Sequence, residues 1–192
     1  GGHFGPNFGM VEATIAMHYV FDSPKDKIVY DVSHQSYPHK MLTGRKDAFL
    51  YEEHYDDVSG YSEPDESEHD HFIIGHTSTS VSLACGLAKG RDLCGGKENV
   101  IAVIGDGSLS GGEALEGLDY ASELKSNLII VINDNAQDGT DVSWLWDVDF
   151  DRFKGANVNS ITVSGIRCQD MRLRMKYVDI PSMLEADVEK AI

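Results

Sequence analysis

The sequence predicts an α/β fold: three layers, with a mostly parallel sheet and helices on both of its faces. Two observations carry this. The segments KIVYDV, NVIAVI and LIIVI are continuous apolar runs rather than alternating ones, as strands buried on both faces must be. Longer segments with apolar residues at helical spacing lie between them, the alternation that builds parallel sheets through crossover helices.

Each element has its own warrant. Gly1 to Gly9 is Gly-rich and polar, and reads as a loop in which backbone can approach a ligand. Met10 to Tyr19 carries a helical apolar pattern that stops before Phe21-Asp22-Ser23-Pro24, since the residue before a proline avoids the helical region. Lys27 to Val32 is a short strand, followed by a loop from Ser33 to Pro38. Residues 51–72 are dense in Asp, Glu, Ser, His and Tyr, follow neither period, and read as a solvated surface excursion. Ser80 to Leu93 is an amphipathic helix closed by Gly95-Gly96. Asn99 to Ile104 is a buried strand, Gly112 to Leu124 a helix, and Leu128 to Ile132 a second buried strand. Ser160 to Val163, Gln169 to Tyr177 and Leu184 to Ile192 read as strand, helix and helix. The compositional break falls after Asn135, where Trp144 and Trp146, the only tryptophans, come together. Residues 1–135 and 136–192 are therefore two segments, the second continuing the sheet of the first.

A chain of 192 residues can bury a single core without staples. With 32 acidic against 16 basic residues the net charge is −16, which argues against nucleic acid or an anionic membrane as partner. An anionic ligand would then need a divalent metal or backbone amides to hold it. Cys85, Cys94 and Cys168 are odd in number, widely spaced and free of CxxC, and read as reduced thiols of a cytoplasmic protein. No apolar run approaches the ~18 residues of a membrane span. The chain opens on Gly1 with no signal-peptide pattern and reads as an excised or trimmed segment.

The chemistry concentrates where two buried strands end. Gly105-Asp106-Gly107 closes one of them, and Asn135 lies twenty-nine positions after Asp106, in Asn133-Asp134-Asn135 at the end of the next. Mg²⁺ prefers hard oxygens, commonly one carboxylate, neutral oxygens and ligand phosphates. Asp106 supplies the carboxylate, Asn135 an amide oxygen, and the Gln137 backbone carbonyl a third donor. Gly105 and Gly107 leave room for a phosphate, and Ser108 leads into a helix whose N-terminus favours anions. The pattern is that of a Mg²⁺–diphosphate site at the C-terminal edge of a parallel sheet.

Gly2-His3-Phe4-Gly5, Asp31-Val32-Ser33-His34-Gln35-Ser36-Tyr37-Pro38-His39-Lys40, Leu42-Thr43-Gly44-Arg45, Gly75-His76-Thr77-Ser78-Thr79-Ser80 and Val103-Ile104-Gly105-Asp106-Gly107 follow in order. Together they resemble 1-deoxy-D-xylulose-5-phosphate synthase and its relatives in the transketolase class, over roughly Gly1 to Asn135. The resemblance implies the thiamine-diphosphate-binding fold of a transferase of isoprenoid biosynthesis, with thiamine diphosphate and Mg²⁺ as cofactors. It implies that His3 lies near the reacting donor and acceptor, and that His34 contacts the cofactor. Gly75, His76 and Thr77 would line the diphosphate with Gly107 and Ser108, while Asp106, Asn135 and the Gln137 carbonyl would hold the metal. Imidazoles suit such a site because they donate to phosphate oxygens and move protons near neutral pH. His18, His39, His54, His69 and His71 have no such flanking motif and no assigned role.

The resemblance also sets limits. The family carries a second domain with a glutamate that activates the aminopyrimidine ring, and no such segment follows here. After Asn135 the family pattern gives way to Ala136-Gln137-Asp138-Gly139. The chain alone is therefore expected to bind cofactor without turnover. From Asn133 onward, Asp138-Gly139-Thr140-Asp141-Val142-Ser143-Trp144-Leu145-Trp146-Asp147, Val163-Ser164-Gly165-Ile166-Arg167 and Leu173-Arg174-Met175-Lys176-Tyr177 resemble another family. This is the C-terminal domain of the Mur-ligase-like subunit of lipid II isoglutaminyl synthase, a Rossmann-like continuation. That resemblance implies docking of a glutamine amidotransferase, with Asp141 or Asp147 completing its triad. Simple packing on the sheet edge is the alternative for Trp144 and Trp146. The two resemblances in one chain read as a natural or engineered chimera, with an α/β scaffold lacking catalysis as the alternative function. Apolar surface left by the absent domain predicts a homo-oligomer, or pairing with a missing second catalytic domain.

Overall fold

The computed structural model describes residues 4–133, 146, 148–154, 158–165 and 167–191. Strands β1 (Lys27–Tyr30), β2 (Val100–Gly105) and β3 (Ile129–Asn133) form one parallel sheet in that order, with Ile28 opposite Ile101 and Gly105 opposite Asn133. Val100 to Ile104 are fully buried because β2 is central. Their side chains alternate between two apolar layers. Val100, Ala102 and Ile104 pack with Val81, Ala84, Cys85 and Ala88, whereas Ile101 and Val103 pack with Met10 and Met17.

The helices fill those layers as their spacing requires. After α1 (Phe4–Phe8), α2 (Val11–Val20) covers one face. Short helices α3 (Tyr37–Lys40) and α4 (Asp47–Leu50) follow β1, with the chain kinking at Gly44, φ +93°. On the other face α5 (Ser80–Leu93) packs on α7 (Gly112–Leu124), which follows the single turn α6 (Asp106–Leu109). Gly117 permits the close approach, since a β-carbon there would stand 2.9 Å from Ser82 Oγ and 3.1 Å from Val81 Cγ1. Gly95, at φ +73°, ends α5 where the glycine pair predicts.

Beyond β3, α8 (Cys168–Tyr177) lies between β4 (Thr162–Val163) and β5 (Met183–Leu184), followed by α9 (Val188–Ala191). Among the described residues β4 and β5 pair in parallel with each other, in a two-stranded sheet separate from the first. Continuity with the N-terminal part runs through the core, where Val148, Phe150, Val163, Cys168, Met175 and Val178 join the layer of α5 and α7. The helix read over Leu184 to Ile192 is shorter than expected, because Met183 and Glu185 donate their N–H groups to the Ile161 and Val163 carbonyls and draw Leu184 into a strand.

Two further expectations are corrected. The Gly-rich start is helical over Phe4–Phe8, and Asn7 holds it in place: its Nδ2 donates to the His34 carbonyl at 2.6 Å and its Oδ1 accepts from Tyr37 N–H at 2.8 Å. Residues 51–72 are not simply solvated. Asp70 is 5% exposed and Glu66 reaches Lys40, whose side chain is fully buried, at 2.6 Å. Cys85, Cys94 and Cys168 are free thiols, and among the described residues no helix is long and apolar enough to cross a membrane.

Candidate functional site

The C-terminal edge of the first sheet gathers three loops. Leaving β1, Asp31 donates its N–H to the Val103 carbonyl at 2.7 Å, and the chain turns sharply through Val32 and Ser33, at φ +57° and +68°. The Asp31 carboxylate, 1% exposed, accepts N–H bonds from Ser78 (2.9 Å), Thr79 (2.8 Å) and Ser80 (2.9 Å) at the start of α5. Ser78 is left-handed, φ +69°, and its Oγ donates to the Ser108 carbonyl at 2.6 Å. The loop before α5 is thereby fastened both to the exit of β1 and to the turn after Asp106.

Gly111 makes that contact possible. A β-carbon on it would lie 2.0 Å from Ser78 Oγ and 2.8 Å from Ser78 Cβ, so the serine would have to move. Gly111→Ala is expected to break the Ser78–Ser108 bond and cost about 1–3 kcal/mol, read as a lower urea midpoint. An unchanged midpoint would show that the contact has slack.

Asp106 is half-buried at the first position of α6, directly past β2. Its neighbour Gly105 is the register partner of Asn133, so Asp106 stands beside the exit of β3. Gly75, His76, Thr77 and Gly107 are exposed, and Ser108 is half-buried. At Gly75 and Gly107 an added β-carbon would meet nothing within 4 Å, leaving room for a ligand at both backbones. An open pocket of about 270 Å³ lies beside the loop, lined by Ile73, Ile74, Gly75, His76, Thr79, Leu83 and Glu113. His34 is half-buried in the turn after β1 and, like Asp106, does not line that pocket. The turn places His34 and the tethered loops place Gly75 to Thr77 with Gly107 and Ser108 along one edge of the sheet. His3, Asn135, Gln137, Asp141, Trp144 and Asp147 lie outside the described residues. Among the described residues no group of three or more His, Cys, Asp or Glu side chains could hold a metal. The donors present there, an accessible carboxylate with open glycine backbone around it, suit a cation that completes its shell with phosphate oxygens.

A second cluster supports the edge from below, and residue types alone did not reveal it. Arg45 donates to both oxygens of Asp70, at 2.8 and 3.0 Å, and Lys40 pairs with Glu66. Asp70 also accepts from Glu63 N–H at 2.9 Å, and His39 Nε2 lies 3.1 Å from it. A carboxylate only accepts, so His39 donates from Nε2, and its Nδ1 then accepts from His18 Nε2 at 2.9 Å. The cluster reaches the site through Ser33, whose Oγ accepts from Ser62 N–H at 2.7 Å and donates to the Ile74 carbonyl at 2.9 Å. The signal in the sequence was the basic run around His39 to Arg45 facing the acidic run around Glu63 to Asp70.

Burial, with the neighbouring His39 and His69, pushes His18 from 6.5 down to about 4. Burial, with Lys27 nearby, pushes His71 from 6.5 down to about 4. Burial would raise the Asp70 carboxyl, but hydrogen bonds from His39 and Arg45 hold it well below its ordinary value. The signs separate the two effects. Histidines depressed in the folded state are protonated more readily when unfolded, so stability is full above about pH 6.5 and falls toward pH 4. The Asp70 contribution is lost only at more acidic pH. Both histidines are partly solvated, so the expected loss between pH 7 and 4.5 is roughly 1–2 kcal/mol in all, after allowing for screening. Urea midpoints at the two pH values measure it, and a flat profile would remove the histidines from the account.

The chain matches the family model described as 1-deoxy-D-xylulose-5-phosphate synthase over residues 1–141. It also matches the one described as MurT ligase C-terminal over residues 112–192, so the two matches overlap across the Asn133-Asp134-Asn135 triplet. The 1-deoxy-D-xylulose-5-phosphate synthase of Symbiobacterium thermophilum is 56% identical over 136 residues, 71% of this chain and 21% of that protein. The chloroplastic 1-deoxy-D-xylulose-5-phosphate synthase 1 of Oryza sativa subsp. japonica is 53% identical over 137 residues, 71% of this chain and 19% of that protein. The synthase of Thermomicrobium roseum is 56% identical over 135 residues, 70% of this chain and 22% of that protein. The chain thus spans about a fifth of the length of these relatives.

Proposed function

The chain belongs to the 1-deoxy-D-xylulose-5-phosphate synthase family, and on that premise we propose that it is the segment binding thiamine diphosphate and Mg²⁺ in a transketolase-type transferase of isoprenoid biosynthesis. The observation that carries this reading is the pairing of Gly105 with Asn133, which sets Asp106 beside the strand exit leading to Asn135. Asp106, Asn135 and the Gln137 carbonyl would hold the metal. Gly75, His76, Thr77, Gly107 and Ser108 would receive the diphosphate, His34 would contact the cofactor, and His3 would stand near donor and acceptor. When bound, thiamine diphosphate would supply the carbanion chemistry of a two-carbon transfer. The residues of this chain bind and orient it.

Turnover is reserved for an assembly with a second, glutamate-bearing domain. Phe4 (65% exposed), Phe8 (66%) and Tyr19 (91%) offer apolar surface that such a domain or a second copy of the chain would cover. The protein is proposed to be cytoplasmic, and to be a chimera whose segments 1–135 and 136–192 meet at the triplet. The match over residues 112–192 favours a second reading, in which the C-terminal segment docks a glutamine amidotransferase through Asp141 or Asp147.

Calorimetric titration of thiamine diphosphate, with Mg²⁺ and again with chelator, tests the first reading. Saturable binding that needs the metal supports it. Absence of binding by folded protein leaves a scaffold without cofactor. Capture of a purified amidotransferase subunit by the chain tests the second.

A further inference from the structure

The Asp31 carboxylate is buried behind the residues proposed to touch cofactor and metal, and bonds only backbone N–H groups of this chain among the described residues. We propose that Asp31 is the positioning residue of the diphosphate loop: its carboxylate sets the conformation in which residues 75–77 meet the cofactor. The inference rests on the thiamine-diphosphate reading and adds a residue to it.

A carboxylate that is 1% exposed is costly to desolvate unless its oxygens are satisfied. Here the Ser78 N–H bonds Oδ2, and the Thr79 and Ser80 N–H groups share Oδ1. These donors open α5, at the positive end of its dipole, and otherwise lack partners within the helix. Asp31 therefore occupies the anion-attracting end of α5 with a carboxylate of the protein itself. A diphosphate at this edge is left with the exposed Gly75–Thr77 segment, the turn after Asp106 and the metal. This makes the cation necessary for the affinity rather than an accessory to it.

The same carboxylate also holds a strained residue. Ser78 at φ +69° adopts a left-handed conformation that a residue with a β-carbon disfavours. Two clamps keep it there, its N–H on Asp31 and its Oγ on the Ser108 carbonyl. Asp31 is itself fixed, with its N–H on the Val103 carbonyl of β2 and its carbonyl accepting from Ser33 N–H. A rigid path thus runs from the central strand through Asp31 to the backbone immediately after His76 and Thr77. No cation is needed to explain the burial of this carboxylate, and no local pattern marks it, because its three donors lie 47 to 49 residues away.

The test uses the full 192-residue chain and its Asp31→Asn variant. The variant keeps one acceptor oxygen for Thr79 and Ser80 but faces the Ser78 N–H with a donor. Amide hydrogen exchange is expected to rise about tenfold or more at Ser78 while the β2 amides stay protected. Affinity for thiamine diphosphate with Mg²⁺, measured where both proteins are fully folded, is expected to fall about tenfold or more. A purely structural role would lower the melting temperature and leave the affinity of the folded fraction unchanged. Equal affinities overturn the inference and leave the cofactor reading standing, whereas failure of the parent chain to bind overturns both. Should the variant not fold, the parent decides: its Ser78, Thr79 and Ser80 amides must be protected without cofactor, and rapid exchange there overturns the proposal.

Discussion

Asp106→Ala is expected to remove Mg²⁺-dependent binding of thiamine diphosphate, weakening it by about 100-fold or more, roughly 2.7 kcal/mol. The size follows from the charge balance. A chain of net charge −16 would repel a diphosphate, and the α5 terminus is already filled by Asp31, so on the proposed reading a cation would have to bridge. Mg²⁺ needs at least one hard carboxylate, and Asp106 is the acidic residue at the exit of β2. Asp106→Asn keeps an oxygen without the charge and is expected to fall between the two. The side chain is half-buried and, among the described residues, no hydrogen bond ties it to the core, so the melting temperature should stay close to that of the parent. Titration of both variants against the parent measures the effect. Parental affinity in Asp106→Ala would move the metal elsewhere and sink the assignment.

Asp70→Asn is expected to destabilise the fold by about 3–5 kcal/mol, more than Gly111→Ala or Asp106→Ala. The loss comes less from the attraction surrendered than from what remains. Arg45, its side chain 9% exposed, would keep its charge without its bidentate partner, and His39 and the Glu63 N–H would lose a charged acceptor. Glu66 cannot replace it, since it already serves Lys40 and approaches Arg45 at only 3.3 Å. Because the cluster reaches the site through Ser62, Ser33 and the Ile74 carbonyl, cofactor affinity should fall together with stability. Urea unfolding of parent and variant decides. A loss below about 1 kcal/mol would mean that the pair is solvated in solution and contributes like an exposed salt bridge.

The strands and the long helices were legible because their signal is local. A strand buried on both faces must be apolar throughout, and β1, β2 and β3 fall within two residues of where continuous runs place them. The helix Ser80–Leu93 ends where its glycine pair does. The position of the candidate carboxylate, Asp106, was legible for a related reason, since Gly-Asp-Gly after an apolar run states both the strand end and the room around it. Helix α1 was not legible, because the bonds that hold it join Asn7 to residues 27 and 30 positions away. Residues 51–72 showed no period and passed for a solvated loop, although Glu66 and Asp70 are anchored by Lys40 and Arg45 across 26 and 25 residues.

The sequence by itself determined the α/β class, the positions of the buried strands, the Asp106 end of the candidate metal site and the kinship of both halves, all carried by residues close together in the chain. The tertiary structure alone decided that Asp31 accepts the Ser78, Thr79 and Ser80 N–H groups at the start of α5, that the acidic excursion is fastened to a basic run, and that β4 and β5 pair apart from the first sheet among the described residues. The physical reason is one of range: burial patterns repeat over a few residues and can be read along the chain, whereas a hydrogen bond between residues 47 apart leaves no local periodicity and exists only once the chain has folded.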